Sequence, residues 1–564
     1  MSGHSKRQGG LRWRRVAPVA GAAVLAFAAG AVLGGRHVAA SQRIAVQFAQ
    51  AWQRGDVARM YELTDAPASE RSLRSFARSY RDAATTATTT GLRFGPPRDA
   101  GDNVYLVPAA VATRAFGTVH ATLRVPVTEI DGEPRVTWTS ALTFPGLREG
   151  ERLRRRTGLP PRAPLLARDR TPMARGDAPA PPAAASIVGQ VGPIPADRAR
   201  ALRAQGVPAD AQVGVSGLER ILDDELRGRA GGVLMAGDRT LASQPPRASG
   251  PVRSTISLKT QQSAVDALAD RLGGIVVLRP RSGEVLAAAG IPISGLQPPG
   301  STFKIITVTA ALEAGITEPS KMYPVQTEAM LEGVALENAN GESCGGTLVQ
   351  SFAHSCNSVF APLGAQLGAE KLVGAARRFG FDEDPGIPGA ATSTIPPADE
   401  IGDDLAVGSS AIGQGRVQAT ALAMAVVGAT IANDGRRPRP TFLYGERRGS
   451  VRVTSRRVAR QVQRMMEAVV SGGTGVAAGL TGVKVAGKTG TAELEDTRPA
   501  PGAELTPAPV TEPKPPSTDA WFVAYAPAGK RKQPRVALGV LFVRAGAGGD
   551  VAAPAARQVL SAAL

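Results

Sequence analysis

Residues 298–304 read PPGSTFK and open an apolar segment that continues to Gly315. The density of apolar side chains in this segment predicts a buried helix. On such a helix, Ser301 and Lys304 share one face and lie one turn apart. A lysine that faces a dry cleft loses part of its preference for charge, and a neutral lysine can accept the proton of a serine hydroxyl. The stretch therefore predicts a serine nucleophile beside a lysine base.

Two further motifs follow along the chain. Ser355-Cys356-Asn357 lies in a short break between helical segments and offers a hydroxyl and a carboxamide. Lys488-Thr489-Gly490-Thr491 lies on a predicted strand, where the glycine lets a substrate approach the backbone. A single Ser-x-x-Lys match is weak evidence, but three such elements on a helix, a loop and a strand are a strong signal.

Few histidines are available to act as the base. The chain contains 4 histidines, and a Ser-His-Asp triad in its C-terminal half would need His354. We interpret His354, which adjoins Ser355, as structural, and we predict that lysine is the base. The scarcity of histidine, together with only 2 cysteines, predicts no transition-metal site. No cofactor is expected.

Length and charge narrow the class of protein. A chain of 564 residues is expected to form roughly two to four domains. Its formal net charge of +18 favours an anionic partner such as nucleic acid, acidic lipid or an acidic wall polymer. The sequence has no zinc finger, RNA-binding aromatic pattern or basic region followed by heptads, so we expect no nucleic-acid partner.

The N-terminus predicts export. A basic tail (1–15) without acidic residues precedes an apolar stretch (16–35) close to the ~20 residues that span a bilayer. We expect a transmembrane anchor. The alternative is a cleavable signal peptide, because Val38-Ala39-Ala40 resembles a cleavage site. In either case, the chain beyond about residue 40 is exported.

Cys344 and Cys356 lie far from the N-terminus, so neither can carry an N-terminal lipid. In an exported protein they are candidates for one disulfide, which would stabilise the fold by about 2 to 3 kcal/mol. Two buried free thiols are the alternative.

Periodicity predicts a small α+β domain at about 41–150. Helical spacing over 45–64 predicts two short amphipathic helices that are broken near Gly55-Asp56. Residues 119–127 alternate with a period of two, Asp131-Gly132 supplies a hairpin turn, and 136–144 continue as the return strand. Helices are thus followed by an antiparallel sheet.

Composition predicts two joints after this domain. Arginine and proline crowd residues 148–175, and residues 178–185 are nearly all proline and alanine. We expect the arginines of the first joint to be solvated or paired in salt bridges. Contact with anionic lipid or wall polymer is the alternative.

Beyond residue 250, strands are predicted at both ends of the region and helices between them. A tight hairpin comes first (274–287), and the last strands are predicted at 483–486, 521–526 and 536–543. Apolar helices are predicted at 303–312 and 420–432. This order predicts one sheet that is assembled from both ends of a single domain. Residues 494–518 are rich in Pro, Glu and Thr and are a predicted mobile insertion between two strands.

The three motifs resemble those of the penicillin-recognising serine acyltransferases, which are Ser-x-x-Lys, Ser-x-Asn and Lys-Thr-Gly. Other segments look like the class B penicillin-binding proteins, namely 214–219 (GVSGLE), 257–262 (SLKTQQ), 413–415 (GQG) and 519–522 (DAWF). The resemblance covers about residue 155 to the end of the sequence. The α+β region is similar to the NTF2-like N-terminal domain of the methicillin-resistance penicillin-binding protein and of actinobacterial relatives.

The resemblance implies a multidomain α+β chain. Its penicillin-binding transpeptidase domain would hold an antiparallel five-stranded sheet with helices on both sides. The expected segments are a cytoplasmic basic tail (1–15), a transmembrane helix (16–35), an NTF2-like domain (41–150), a linker or pedestal domain of the dimerisation type (151–255) and the transpeptidase domain (256–564).

The resemblance also implies roles for the motif residues. Ser301 would be the acylated nucleophile, Lys304 the general base, and Ser355 a proton relay towards the leaving amine. Asn357 would bind the donor peptide amide. Lys488, Thr489 and Thr491 would hold the terminal D-Ala carboxylate beside Gly490, and Lys488 would help to keep Lys304 neutral. The backbone N–H groups of Ser301 and Thr491 would form the oxyanion hole.

The implied activity is that of a peptidoglycan D,D-transpeptidase, which releases D-Ala and passes the acyl group to an amine of a neighbouring stem peptide. The implied partners are peptidoglycan stem peptides, β-lactams, the cytoplasmic membrane and a separate glycan polymerase. A β-lactamase or β-lactam sensor is one alternative, although a hydrolase needs no anchor and extra domain. A non-catalytic envelope scaffold is another, which the intact Ser301, Lys304 and Lys488 argue against.

Overall fold

A computed structural model describes residues 39–66, 72–174, 181–494, 517–529 and 532–564. The predicted basic tail, the predicted transmembrane helix and nearly all of the predicted insertion lie outside these ranges. Of the described helices, none is long and apolar enough to cross a membrane. The chain forms two compact units. Unit 1 comprises the described residues up to Gly158 with Arg203–Gly206 and Ala230–Pro245, and unit 2 comprises Leu159–Leu202, Val207–Arg229 and Pro246–Leu564.

Helices and strands are mixed along the whole described chain. The helices are α1 (Ala40–Arg54), α2 (Val57–Glu62), α3 (Leu73–Ala87), α4 (Pro182–Val188), α5 (Ala196–Ala204), α6 (Gly217–Ile221), α7 (Asp223–Arg227), α8 (Leu258–Leu268), α9 (Lys304–Glu313), α10 (Leu348–Ala353), α11 (Asn357–Leu367), α12 (Ala369–Phe379), α13 (Ala398–Ile401), α14 (Asp404–Ala411), α15 (Ala421–Ala432), α16 (Arg456–Gly472) and α17 (Ala553–Ala563). The strands are β1 (Thr89–Phe94), β2 (Arg98–Asp99), β3 (Val104–Thr113), β4 (Thr118–Ile130), β5 (Glu133–Val136), β6 (Leu153–Gly158), β7 (Leu165–Leu166), β8 (Pro172–Ala174), β9 (Val191–Pro193), β10 (Gln212–Gly214), β11 (Gly231–Ala236), β12 (Arg239–Gln244), β13 (Val252–Arg253), β14 (Gly273–Leu278), β15 (Val285–Gly290), β16 (Met322–Gln326), β17 (Glu328–Leu331), β18 (Val334–Glu337), β19 (Cys344–Thr347), β20 (Arg436–Pro438), β21 (Ser450–Arg452), β22 (Ala486–Glu493), β23 (Thr518–Ala526) and β24 (Val536–Phe542).

Unit 1 begins with helices α1 to α3. Helix α1 ends where Gly55 adopts a left-handed conformation (φ 73°), and Asp56 caps α2 by accepting from the Arg59 backbone N–H at 3.0 Å. The predicted break at Gly55-Asp56 is confirmed, although α1 has 15 residues and is not short. Helix α3, whose Phe76 and Tyr80 are buried in the core of this unit, was not predicted from the sequence.

The predicted antiparallel sheet of unit 1 is confirmed, with strands β1, β3, β4 and β5 in that order and β2 paired with β3. Asp131 and Gly132 both have positive φ and join β4 to β5, as the predicted hairpin requires. The predicted return strand over 136–144 is wrong beyond Val136. There the Trp138 backbone N–H donates to Asp65 Oδ1 at 2.8 Å, away from the strand ladder, and a 3₁₀ helix follows.

Both predicted joints contain regular structure, so this prediction is wrong. Strand β6 pairs with β11 in an antiparallel sheet that also includes β12. Alternate residues of β6 serve different surfaces: Arg154 and Arg156 are exposed, whereas the part-buried Arg155 donates to the Thr85 carbonyl oxygen at 2.8 Å. In the second joint, α4 begins at Pro182, because proline suits the first helical turn and alanine favours helix.

Unit 2 contains a five-stranded antiparallel sheet in the order β15-β14-β24-β23-β22. Strands β14 and β15 precede helices α9 to α16 in sequence and β22 to β24 follow these helices, which confirms a sheet assembled from both ends. Strands β23 and β24 contain nearly all of the residues predicted for them. The strand predicted at 483–486 is wrong, because Leu480 and Val483 bridge each other and β22 starts only at Ala486.

Helices cover both faces of this sheet. Because successive strand residues point to opposite faces, Ile275 and Val276 of β14 belong to different buried clusters. The cluster with Ile275 includes side chains of α8 and α17, and the cluster with Val276 includes Val427 of α15 and Met466 of α16. Burial of an apolar side chain of this size contributes roughly 1.5–3 kcal/mol, so both layers of helices stabilise the sheet.

A close backbone contact holds the turn that leads into Ser301. The Gly300 N–H donates to the Gly413 carbonyl oxygen at 2.9 Å. Gly413 has a φ of +78°, and a Cβ atom at this position would lie 2.1 Å from the Gly300 carbonyl oxygen. Only glycine fits at position 413.

Gly413→Ala should lower the free energy of unfolding by about 3 kcal/mol or more, because it adds a backbone clash to left-handed strain. Gly415→Ala is the matched control, since Gly415 also has a positive φ (67°) but an added Cβ atom would meet no atom within 4 Å. The control should cost about 1 kcal/mol. Chemical unfolding of the purified protein measures both, and equal losses would contradict the close contact.

Candidate active site

Ser301 and Lys304 lie at the junction of two helical forms. A 3₁₀ turn spans Gly300–Phe303, and α9 continues from Lys304. Ser301 is half-buried, whereas the side chain of Lys304 is fully buried. The predicted buried helix is therefore confirmed, and the serine lies in the tighter turn that precedes it.

Two short hydrogen bonds hold the Lys304 amine. Its Nζ donates to the Ser355 carbonyl oxygen at 2.6 Å and to Asn357 Oδ1 at 2.7 Å, while Ser355 Oγ lies further away at 3.4 Å. A neutral lysine amine keeps two N–H groups and one lone pair. The two close acceptors engage both N–H groups and leave the lone pair free to accept a proton.

Burial also decides the charge of the two lysines. It lowers the pKa of Lys304 well below the ordinary value of 10.5, and the nearby Lys488 lowers that pKa further. Burial lowers the pKa of Lys488 to about 7. Lys488 Nζ donates to Ser355 Oγ at 2.8 Å and to the Thr489 carbonyl oxygen at 3.1 Å. The cleft thus favours the neutral, basic form of Lys304.

Ser355 bridges the two lysines through different atoms, its carbonyl oxygen to Lys304 and its hydroxyl to Lys488. Its φ of +62° is left-handed, which is uncommon for a residue with a side chain. The turn that contains it is closed by the Cys356 N–H, which donates to the Ser351 carbonyl oxygen at 2.9 Å. In this conformation, the carbonyl oxygen and the hydroxyl of one residue reach two different buried amines.

The Asn357 carboxamide is held at both ends. Its Oδ1 accepts from Lys304, and its Nδ2 donates to the Glu337 carbonyl oxygen at 2.8 Å. The buried Asn338 secures the same helix start, because its Oδ1 accepts from the Ser358 backbone N–H at 2.9 Å. One of the two Nδ2 hydrogens of Asn357 stays available for a substrate carbonyl.

The two cysteines form a disulfide, with the Cα atoms of Cys344 and Cys356 5.7 Å apart. Cys356 lies between Ser355 and Asn357, so the disulfide ties the second motif to β19. A cross-link that closes a loop of this length stabilises a fold by roughly 3 kcal/mol in the chain-entropy model.

The third motif lies on β22, an edge strand of the five-stranded sheet. Thr489 Oγ1 lies 2.5 Å from Thr474 Oγ1. A Cβ atom on Gly490 would lie 2.9 Å from the Pro299 carbonyl oxygen, so glycine lets β22 run close to the turn of Ser301. Ser301 and the third motif are therefore neighbours.

The structure brings most of the predicted site together. Lys304, Ser355, Asn357 and Lys488 share one hydrogen-bond network. Within the described residues, no hydrogen bond joins Ser301 Oγ to this network. His354 is exposed and, among the described residues, its side chain makes no hydrogen bond, so it is not placed to act as a base.

Some residues that hold the motifs in position were not predicted from the sequence. Thr474 contacts Thr489, and the Gly548 backbone N–H donates to Thr491 Oγ1 at 3.2 Å. Aromatic rings also lie 5.5 Å from the two amines, Phe360 beside Lys304 and Phe352 beside Lys488. The two rings flank the second motif in the sequence and could have been found, whereas the contacts of Thr474 and Gly548 leave no local pattern.

Comparison with known proteins agrees with this geometry. The family model described as the penicillin binding protein transpeptidase domain matches residues 273–561, and the penicillin-binding protein dimerisation domain matches residues 169–241. The peptidoglycan D,D-transpeptidase PbpA of Mycobacterium tuberculosis (strain CDC 1551 / Oshkosh) is 34% identical over 379 residues, which cover 56% of this chain and 72% of that protein. PbpA of Mycolicibacterium smegmatis is 33% identical over 414 residues, which cover 62% of this chain and 79% of that protein.

Solved structures give the same result. Penicillin-binding protein A from M. tuberculosis, in a ceftriaxone acyl-enzyme complex, matches with a TM-score of 0.55 and 27% identity over 72% of this chain and 98% of that one. The D,D-transpeptidase domain of a peptidoglycan glycosyltransferase from Eggerthella lenta matches with a TM-score of 0.56 and 28% identity over the same shares.

The fold and the site define a serine acyltransferase, because a serine turn, a buried lysine and an edge-strand Lys-Thr-Gly motif meet in one cleft. The transpeptidase match spans more than half of the sequence. The chain belongs to the class B penicillin-binding proteins, which confirms the resemblance drawn from the three motifs.

Lys488→Gln should shift the acidic limb of the pH profile of acylation by benzylpenicillin to higher pH. Charged Lys488 lowers the pKa of Lys304, so its removal raises that pKa and a higher pH is needed to keep Lys304 neutral. The maximal rate should also fall by about tenfold or more, because a charged donor is lost from the cleft.

The control for this experiment is Lys484→Gln, which removes an exposed lysine close to the same strand. It should leave the profile and the maximal rate unchanged. A midpoint that stays in place in Lys488→Gln would show that the two lysines are not electrostatically coupled.

Proposed function

We propose that this chain is a peptidoglycan D,D-transpeptidase that acts through an acyl-enzyme on Ser301. The observation that carries the proposal is the network in which Ser355 and Asn357 hold the buried Lys304 beside Lys488. This network keeps an amine in its basic form close to a serine, which is what a serine nucleophile without histidine requires. The donor substrate is a stem peptide that ends in D-Ala-D-Ala.

In the first step, Ser301 Oγ attacks the carbonyl carbon of the terminal D-Ala-D-Ala bond, and Lys304 accepts the hydroxyl proton. An ester forms as the C–N bond breaks. Ser355, which contacts both amines, passes a proton to the departing D-Ala. The backbone N–H groups of Ser301 and Thr491 stabilise the oxyanion, an effect on the order of 3 kcal/mol for each donor.

The second step uses the same groups in reverse order. An amine of a neighbouring stem peptide attacks the ester carbon, and the proton that this amine loses passes through Ser355 to Lys304. Ser301 regains its proton as the ester bond breaks, and the two stem peptides are then cross-linked. A β-lactam acylates Ser301 in the same way, but its acyl group stays on the enzyme.

The third motif binds the carboxylate of the terminal D-Ala. Lys488 supplies the positive charge, and Thr489 and Thr491 supply hydroxyl donors on an edge strand beside the serine. Gly490 lets the substrate lie against the backbone of β22. The free Nδ2 hydrogen of Asn357 binds the amide of the donor peptide.

The proposal extends to the arrangement of the chain at the membrane. Residues 16–35 form a single transmembrane helix, residues 1–15 are cytoplasmic, and the catalytic region is extracytoplasmic. Support comes from the basic tail followed by an apolar stretch. A separate glycan polymerase supplies the strands that this enzyme cross-links.

We also propose the domain boundaries 41–150, 151–255 and 256–564. The first domain is NTF2-like, which is supported by three helices followed by an antiparallel sheet in this region. The second is the linker or pedestal domain of the dimerisation type, and the third is the transpeptidase domain.

Intact-protein mass spectrometry after addition of benzylpenicillin tests the proposed function. The full chain should gain one adduct that persists for hours and maps to the peptide with Ser301. Ser301→Ala should gain none, whereas Ser471→Ala, which removes an exposed serine hydroxyl, should behave as the wild type. Release of D-Ala from a donor peptide, stimulated by an amine acceptor, reports the full reaction.

Two outcomes would contradict this function. Rapid loss of the adduct to water would identify a hydrolase. An adduct that forms equally on Ser301→Ala would place the nucleophile elsewhere.

A further inference from the structure

Thr474 lies where the second and third motifs meet. Helix α16 ends at Gly472, and the chain then turns towards the end of α10. The Thr474 backbone N–H donates to the Ala353 carbonyl oxygen at 3.1 Å, close to the turn of Ser355. Its Oγ1 lies 2.5 Å from Thr489 Oγ1. One residue outside the three motifs therefore contacts two of the segments that carry them.

The surroundings of the two hydroxyls indicate which one donates. Thr474 Oγ1 has a second acceptor in the Ala353 carbonyl oxygen, but at 3.4 Å that contact is long, and the same oxygen already accepts the Thr474 backbone N–H. Each hydroxyl has one proton to donate. When Thr489 donates its proton to an anion, the 2.5 Å contact can persist only if Thr474 donates to Thr489 Oγ1.

We infer that Thr474 is a positioning residue for the substrate carboxylate. By donating to Thr489 Oγ1, it directs the Thr489 hydroxyl proton to the carboxylate, and hydrogen bonds in such a chain strengthen one another. Thr474 itself does not touch the substrate. This inference rests on the proposed function, in which Thr489 binds the carboxylate of the terminal D-Ala.

Burial makes the hydroxyl of Thr474 difficult to replace. Thr489 is only 5% exposed, so water has little access to its Oγ1. Without Thr474, a Thr489 that donates to the carboxylate would have a buried oxygen with no donor. Such an unmade hydrogen bond in a buried place is costly, and the cost appears only when the carboxylate is bound.

Thr474→Val tests the inference, because it removes the hydroxyl and keeps the shape of the side chain and the backbone N–H. The second-order rate constant of acylation by benzylpenicillin should fall roughly five- to tenfold, mainly through weaker initial binding. With the methyl ester of benzylpenicillin, which has no carboxylate charge, the change should stay below about twofold. Thr474→Ser should restore most of the rate with the free acid, and Thr474→Ala should repeat the contrast between acid and ester.

Ser471→Ala is the matched control, since it removes an exposed hydroxyl that donates to the Ala468 carbonyl oxygen at 3.4 Å. It should change neither rate. Equal losses with acid and ester, or a wild-type rate of Thr474→Val with the acid, would overturn the inference. Failure of the wild-type chain to be acylated at Ser301 would overturn the proposed function instead, so the two failures are distinguishable.

Discussion

The burial of two lysine amines in one cleft is the constraint that organises this site. Lys304 and Lys488 are fully buried, and in the described part of the chain neither forms an ion pair with a carboxylate. A buried amine without a counter-charge tends to lose its proton, and its remaining N–H groups still need acceptors. Neutral oxygens of Ser355, Asn357 and Thr489 meet that need. For Lys304, burial thus favours the deprotonated amine, which is a base, whereas burial lowers the pKa of Lys488 only to about 7.

The unusual backbone of the site follows from the same constraint. A carbonyl and a hydroxyl of one residue must reach two different amines, and Ser355 does so in a left-handed conformation next to the disulfide of Cys356. Gly413, which has no Cβ atom, lets the Gly300 carbonyl lie close to its backbone, and its own carbonyl oxygen accepts from the Gly300 N–H and holds the serine turn. Substitutions that leave every motif side chain unchanged can therefore still lower the activity, because they move the backbone that positions these side chains.

Sequence alone predicted the motif residues that the structure brings together and the hairpin of unit 1, because both have local signatures. A serine and a lysine three residues apart, or Asp131-Gly132 between alternating strands, can be recognised in a short window. Thr474 could not be found in this way, since its role depends on segments that are distant in the chain. The wrong prediction of a joint over β6 has a physical reason. It was based on composition, whereas Arg155 points inward because it donates to carbonyl oxygens that come close to it only in the folded chain.

The order of strands in the catalytic sheet has a consequence for biogenesis. Leu278 pairs with Ala537, so the central contact of the sheet closes a very long loop, and such non-local pairing is slow to form. Strand β22, which carries Lys488, pairs with β23, and β23 in turn pairs with β24. A nascent chain therefore displays apolar helices and unpaired strands until its last strand has emerged. Aggregation is the competing fate of such an incomplete chain.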